Sequence, residues 1–114
     1  QTCLDMISRS KISVNVMPWF KSGAHDRVFN SMLNGALCVT DGSTYLNKHF
    51  EHGRDICFYS LWNVSEAAEQ IKRLLADWDM IEAITDSAYR KCRESHTWKC
   101  RTEELIEWIE GEKL

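Results

Sequence analysis

The residues best suited to chemistry lie in one short loop, which reads Lys21-Ser22-Gly23-Ala24-His25-Asp26-Arg27. Gly23 allows a ligand to approach the backbone closely because it has no side chain. Lys21 and Arg27 could neutralise a diphosphate, and the Arg27 guanidinium could do so through bidentate hydrogen bonds. His25 could donate to a phosphate oxygen or act as a general base. The loop therefore predicts an anion-binding site.

The same residues also fit an ordinary interpretation, and the motif is not specific enough to choose. In an ordinary loop between a strand and a helix, Asp26 would be the helix N-cap, with His25 and Arg27 at the surface. Asp41 is equally open to two interpretations. It follows an apolar run, at a position where ligands collect in parallel sheets, but it could simply form a turn with Gly42.

The spacing of apolar residues predicts the elements that position this loop. Alternation over 11–17 predicts a strand, two i,i+4 apolar pairs predict a helix over 25–35, and the run 37–41 predicts a buried strand. Strand, loop, helix and strand in this order imply parallel strands. The helix then begins at the sheet edge where ligands bind, and its free N–H groups and positive dipole end suit a phosphate.

The remaining elements complete a layered α/β fold. Residues 1–9 fit the end of a helix, 45–50 a short helical turn, and 55–59 a third strand. Three helices follow: one begins at a cap formed by Asn63 and Glu66, and the others cover 79–95 and 102–110. This order predicts a small three-layer, Rossmann-like parallel sheet of about three strands, with helices on both faces and a helical C-terminal tail.

Length and composition narrow the class of protein. A chain of 114 residues predicts a single domain, 1–114. The net charge of −3 comes from interspersed charges, which argues against a nucleic-acid partner because that would require a basic face. The N-terminal residues do not have the pattern of a signal peptide, so we expect none, and because there is no apolar run of about 18 residues we expect no transmembrane segment. Five scattered cysteines favour a reducing, cytoplasmic location.

A metal site is not expected from this sequence. Cys92, His96 and Cys100 are four residues apart and could share one side of an unbroken helix, but no fourth ligand stands at a suitable spacing.

Four segments, taken in order, resemble a known family. Lys11–Val16 and Arg27–Asp41 are similar to the C-terminal domain of GT-B glycosyltransferases, in the "glycosyl transferases group 1" family and its CgeB-like branch. Asp55–Tyr59 looks like the third strand of that domain. His96-Thr97-Trp98 followed by Arg101 resembles its end motif. The similarity covers roughly residues 9–109, and the ordered series is more specific than any single segment.

The resemblance implies a donor site for a nucleotide-diphosphate sugar, used without a metal or other cofactor. It assigns Gly23, Ala24 and His25 to the diphosphate, with Arg27 nearby. Many members carry two glutamates eight positions apart, where this chain has Ser22 and Asn30. The amide of Asn30 could still bond to a donor hydroxyl, although it brings no charge.

The resemblance also implies that these residues are a fragment. Catalysis in GT-B enzymes takes place between two domains, so an N-terminal domain would be required in cis and the isolated fragment would be inactive. We expect His25 and Arg27 to be catalytic. The expected donor-binding residues are Lys21, Ser22, Gly23, Ala24, Asn30 and Asp41. The alternative is a non-catalytic α/β binding or interaction module that has lost the donor site, which the departures at Ser22 and Asn30 favour.

Overall fold

The computed structural model describes residues 3–19 and 21–112. Within these ranges, three strands form one parallel sheet in the spatial order β1-β2-β3: β1 (Ile12–Asn15), β2 (Leu37–Asp41) and β3 (Cys57–Tyr59). The helices are α1 (Cys3–Ser8), α2 (Asp26–Leu33), α3 (Thr44–His49), α4 (Val64–Leu75), α5 (Trp78–Ser95) and α6 (Trp98–Glu112). The predicted order of strands and helices is confirmed. The first two residues of the helix expected over 1–9 lie outside the described part.

The central strand β2 is buried along its whole length, which explains its continuous apolar run. Leu37 lies opposite Ile12 of β1, and Val39 lies opposite Cys57 of β3. Because side chains alternate along a strand, β2 supplies the core on both faces of the sheet.

Helices cover both faces, as predicted. On one face, Cys38 packs in a cluster formed by α2, α3 and the C-terminal half of α5, with Val28, Met32 and Leu46 fully buried. On the other face, Leu37 and Val39 pack against α4 and the N-terminal half of α5. Helix α5 therefore contacts both layers and connects them.

Two helix starts illustrate how local sequence sets the boundaries. At α4, the Asn63 side chain accepts from the Glu66 N–H at 3.2 Å and donates to the Glu66 carboxylate at 3.0 Å, so the predicted cap is confirmed. At α6, the Cys100 N–H donates to Thr97 Oγ1 at 3.2 Å. This cap begins the helix at Trp98, four residues before the predicted start.

The last helix is poorly covered by the rest of the protein. Leu105, Ile106, Trp108 and Ile109 of α6 are all between 41% and 64% exposed. None of the described helices is long and apolar enough to cross a lipid bilayer.

Candidate functional site

The predicted loop lies at the carboxyl edge of the sheet, where all three strands end. The chain leaves β1 into this loop and α2, leaves β2 into α3, and leaves β3 into α4. The starts of these three helices are therefore gathered along one edge, which is the usual position of ligand sites in parallel sheets.

Lys21 and Asp41 are brought together at this edge. Asp41 is only 1% exposed, and its carboxylate accepts from the Met17 N–H at 2.7 Å and from Lys21 Nζ. Lys21 Nζ also donates to the carbonyl of Gly42 at 3.1 Å. Both predicted site residues are thus engaged with the protein itself. The ammonium of Lys21 is paired before any ligand binds.

Further hydrogen bonds attach the loop to the start of α3. The Thr44 N–H donates to the carbonyl of Lys21 at 2.8 Å, and the Ser43 hydroxyl donates to the carbonyl of Gly23. Ser22 lies exposed between these two attachment points. The loop is consequently held in one position relative to the sheet.

His25, rather than Asp26, is the N-cap of α2, so the ordinary interpretation placed the cap one residue too late. His25 Nδ1 accepts from the backbone N–H of Arg27 at 3.1 Å and from Arg27 Nε at 3.2 Å. The same nitrogen is 2.7 Å from Asp26 Oδ1. A neutral ring can cap the helix, whereas a protonated Nδ1 would pair with Asp26, so the two interactions exclude each other.

The start of α2 has fewer free amides than its position at the edge would suggest. The Arg27 N–H is bonded to the His25 ring, and the Val28 N–H is bonded to the His25 carbonyl at 3.1 Å. An anion at this point would therefore meet a partly capped helix end.

A cavity of about 570 Å³ lies between α2 and the junction of α5 and α6. On the α2 side it is lined by Ala24, Asp26, Phe29, Asn30 and Leu33. Two of the predicted site residues, Ala24 and Asn30, therefore share this cavity. Among the described residues, the other six predicted positions are outside its lining.

The opposite wall is the end motif, which sequence reasoning noted but did not assign to the site. It consists of His96–Lys99 and Arg101. His96 is 8% exposed, and its ring stacks on Phe29 with centroids 5.4 Å apart. His96 Nδ1 lies 2.7 Å from Arg101 Nη2, which also donates to the hydroxyl of Tyr45. The motif itself was the available signal, whereas the contact with Tyr45 could not be read from the sequence.

Burial, followed by the nearby Arg101 guanidinium, lowers the pKa of His96 to about 4. The ring is therefore neutral near pH 7, and its Nδ1 can accept from the guanidinium. Among the described residues, no group of three or more His, Cys, Asp or Glu side chains is placed to hold a metal ion.

No curated protein and no solved structure gives a significant match to this chain. The sequence does match a family model described as "Glycosyl transferase-like" over residues 1–107. The match includes the loop, α2 and the junction of α5 and α6, so it contains both walls of the cavity. The chain therefore belongs to the glycosyl transferase-like family.

Proposed function

We propose that this chain is the donor-binding part of a nucleotide-sugar-dependent glycosyltransferase, which moves a sugar from a nucleoside diphosphate to an acceptor. The main support, in a member of this family, is the cavity beside the first turns of α2 at the carboxyl edge of the sheet. Its volume of about 570 Å³ lies within the range of small-molecule sites, about 300–1,000 Å³.

The donor's nucleoside fits the α2 wall of the cavity. Asn30 lies one helical turn beyond Asp26, and its amide can both donate to and accept from sugar hydroxyls. Phe29 and Trp98 provide aromatic surface on which a base could pack.

In the proposed mechanism, His25 and Arg27 contribute to stabilising the leaving diphosphate, although they lie outside the lining of the cavity. A His25 ring whose Nδ1 accepts from Arg27 must carry its proton on Nε2, from which it can donate to a phosphate oxygen. Fixed donors aimed at developing charge stabilise the transition state and do not require a metal. Lys21 and Asp41 hold the loop in place, with Ser22 and Gly23 between its attachment points.

We further propose that this unit works with an N-terminal domain in cis, as a cytoplasmic GT-B enzyme of the CgeB-like branch, and that residues 1–114 alone are inactive. The edge strand β1 supports this, because Val14 in the strand and Val16 just after it are 57% and 48% exposed. An apolar cavity of about 350 Å³ lies next to them, between β1 and α4. The exposed apolar side chains of α6 offer a second surface for such a domain.

The second candidate is a non-catalytic binding or interaction module. Asp26 places a carboxylate in the cavity, where it would repel a diphosphate. Asn30 occupies the position at which the GT-B resemblance implies a glutamate. Lys21 is already paired with Asp41. These features favour loss of the donor site.

Titration of the 15N-labelled chain with UDP, GDP and their sugars tests the proposal. We expect amide shifts over residues 23–30 and quenching of Trp98 fluorescence, both weakened by Asn30→Ala and unchanged in the control Asn47→Ala on α3. The absence of any response at about 1 mM nucleotide, corresponding to binding weaker than about 4 kcal/mol, would instead support the module.

A further inference from the structure

The first turn of α6 borders the cavity directly opposite α2. Thr97 caps this helix, and the first backbone bond within it joins the Arg101 N–H to the carbonyl of Thr97 at 3.0 Å. The amides of Trp98 and Lys99 precede that bond, so they have no carbonyl acceptor within the helix. The helix has 15 residues, and its positive dipole end lies at the cavity wall.

Two cations stand on this same turn. Lys99 and Arg101 both line the cavity, whereas Lys21 and Arg27 do not. Lys21 is paired with the buried Asp41, and the Nε of Arg27 donates to His25. The positive charge that faces the cavity therefore comes from α6 rather than from the loop.

The guanidinium of Arg101 is held in a fixed orientation. Its Nη2 donates to Tyr45 and to His96, and its Nη1 donates to the carbonyl of Ser95 at 3.1 Å. A neutral histidine and a phenol orient the group without cancelling its charge, and 35% of the side chain remains exposed.

The acidic partner of Arg101 is weakly bound. Both carboxylate oxygens of Glu104 lie 3.3 Å from Nη1, and this side chain is 63% exposed. Exposed pairs of this kind contribute little, about 0–1 kcal/mol, so a phosphate with a higher charge can replace the carboxylate. On the opposite wall, Asp26 disfavours phosphate. A bound nucleotide is therefore oriented with its phosphates toward α6.

We propose that the first turn of α6 is the diphosphate-binding element of this cavity, with Arg101 as its main cationic contact. This inference rests on the proposed function and specifies its ligand as a nucleoside diphosphate, with the nucleoside along Phe29 and Asn30. Glu104 pairs with the guanidinium of Arg101 until the phosphate displaces the Glu104 carboxylate. His96 and Tyr45 are positioning residues that act through Arg101.

Calorimetric titration of the whole chain with UDP, GDP, ADP and inorganic pyrophosphate tests this inference. We expect Arg101→Gln to weaken diphosphate binding by about tenfold or more, because a charge-assisted hydrogen bond is lost, while binding of the matching nucleoside stays unchanged. Arg27→Gln should cause a smaller loss. Arg93→Gln, an exposed arginine on α5, is the matched control and should bind like the wild type.

A second variant keeps the test decisive if Arg101→Gln does not fold. Glu104→Gln removes only an exposed carboxylate, so it should tighten diphosphate binding about two- to fivefold without changing nucleoside affinity. A purely structural role for Arg101 would not produce this gain. Unchanged or weaker diphosphate binding in Glu104→Gln would contradict the proposal that phosphate displaces Glu104 from Arg101.

The outcomes separate this inference from the proposed function. Nucleotide binding that survives Arg101→Gln but is lost in Arg27→Gln overturns the inference and leaves the function standing. Binding of pyrophosphate that depends on Arg101, without binding of any nucleotide, supports the anion site and contradicts the function. A wild-type chain that binds neither pyrophosphate nor a nucleotide overturns both.

Discussion

Two buried aspartates, Asp41 and Asp55, each bind a lysine, and they do so at opposite ends of the sheet. Asp41 ends β2 at the carboxyl edge, whereas Asp55 precedes β3 at the amino edge. Their exposed fractions are 1% and 2%. Residues of the same type, in nearly the same degree of burial, thus stabilise two different parts of the molecule.

The Asp41 cluster, formed by Asp41, Lys21 and Met17, fixes the loop that leads into α2. The Asp55 cluster, formed by Asp55, Ser87 and Lys91, fixes α5, the helix that ends at the His96 wall of the cavity. Each cluster therefore supports one wall of the proposed donor site.

The two clusters differ in how completely the carboxylate is satisfied. Asp55 accepts from Ser87 Oγ at 2.6 Å, Lys91 Nζ at 2.9 Å and the Glu51 N–H at 3.2 Å. Burial alone would raise the pKa of Asp55, but these hydrogen bonds outweigh it and hold the pKa below its usual value. Asp41 has two close donors, Met17 and Lys21, and its third donor, the Thr40 hydroxyl, lies 3.4 Å away. Because Asp55 has three close donors, we expect folding to depend more on the Asp55 cluster than on the Asp41 cluster.

The largest effect should follow removal of the Asp55 carboxylate. We expect Asp55→Ala to reduce the free energy of unfolding by about 3 kcal/mol, because it leaves the half-buried donors Ser87 and Lys91 of α5 and the Glu51 N–H without their acceptor. Urea denaturation measures this value. Ser87→Ala, which removes a single donor, should cost about 1 kcal/mol. If the two variants are equally stable, Asp55 is not the centre of its cluster.

The next largest effect should be a loss of stability in mild acid, caused by protonation of His96 at the end of α5. The folded pKa of His96, about 4, is below its unfolded value of 6.5, so the unfolded chain takes up the proton first. The wild type should therefore lose about 2 kcal/mol of stability as the pH falls from 6.5 to 4. His96→Gln should lack this loss. The ring faces Arg101, His49, Lys91 and Glu104, and parallel curves for both proteins would show that these partners dominate.

Removal of the Asp41 carboxylate should have a smaller effect on stability. We expect Asp41→Ala to cost about 1–2 kcal/mol, because the buried Met17 N–H loses its acceptor while Lys21, 49% exposed, can turn to solvent. It should weaken nucleotide binding more than Asp55→Ala does, since it releases the loop at the proposed donor site, whereas α5 remains packed against both faces of the sheet. Nucleotide titration of Asp41→Asn, which keeps an acceptor for Met17, is the control. Equal effects of the two alanine variants on nucleotide affinity would remove the distinction between the clusters.

The smallest effect should appear in stronger acid. Because the folded pKa of Asp55 is depressed, its contribution to stability is present above the unfolded pKa, whose ordinary value is 3.8, and is lost as the pH falls through the folded value. Thermal unfolding below pH 4 should therefore show a steeper loss for the wild type than for Asp55→Asn. This range lies below most of the His96 titration, so the two effects can be measured separately. Parallel slopes below pH 4 would contradict the lowered pKa.

The two walls of the cavity also differ in how well they could be predicted. The α2 wall follows from local patterns, since the pairs Val28–Met32 and Phe29–Leu33 predict the helix, and Phe29, Asn30 and Leu33 of that helix line the cavity. The α5–α6 wall depends on the contact between Tyr45 and Arg101, which are 56 residues apart in sequence. No local pattern encodes such a contact, because it exists only once α3 and α5 have packed on the same face of the sheet.

The sequence by itself determined the order of strands and helices, the cap at Asn63 and the buried β2, because these depend on apolar spacing and on neighbouring residues. Only the tertiary structure decided which charged groups face the cavity. Lys21 and Asp41 are 20 residues apart, and folding pairs them, while the same process places Arg101 in the wall of the cavity. A charged side chain takes the partner that packing brings to it, and that partner decides whether its charge remains available to a ligand.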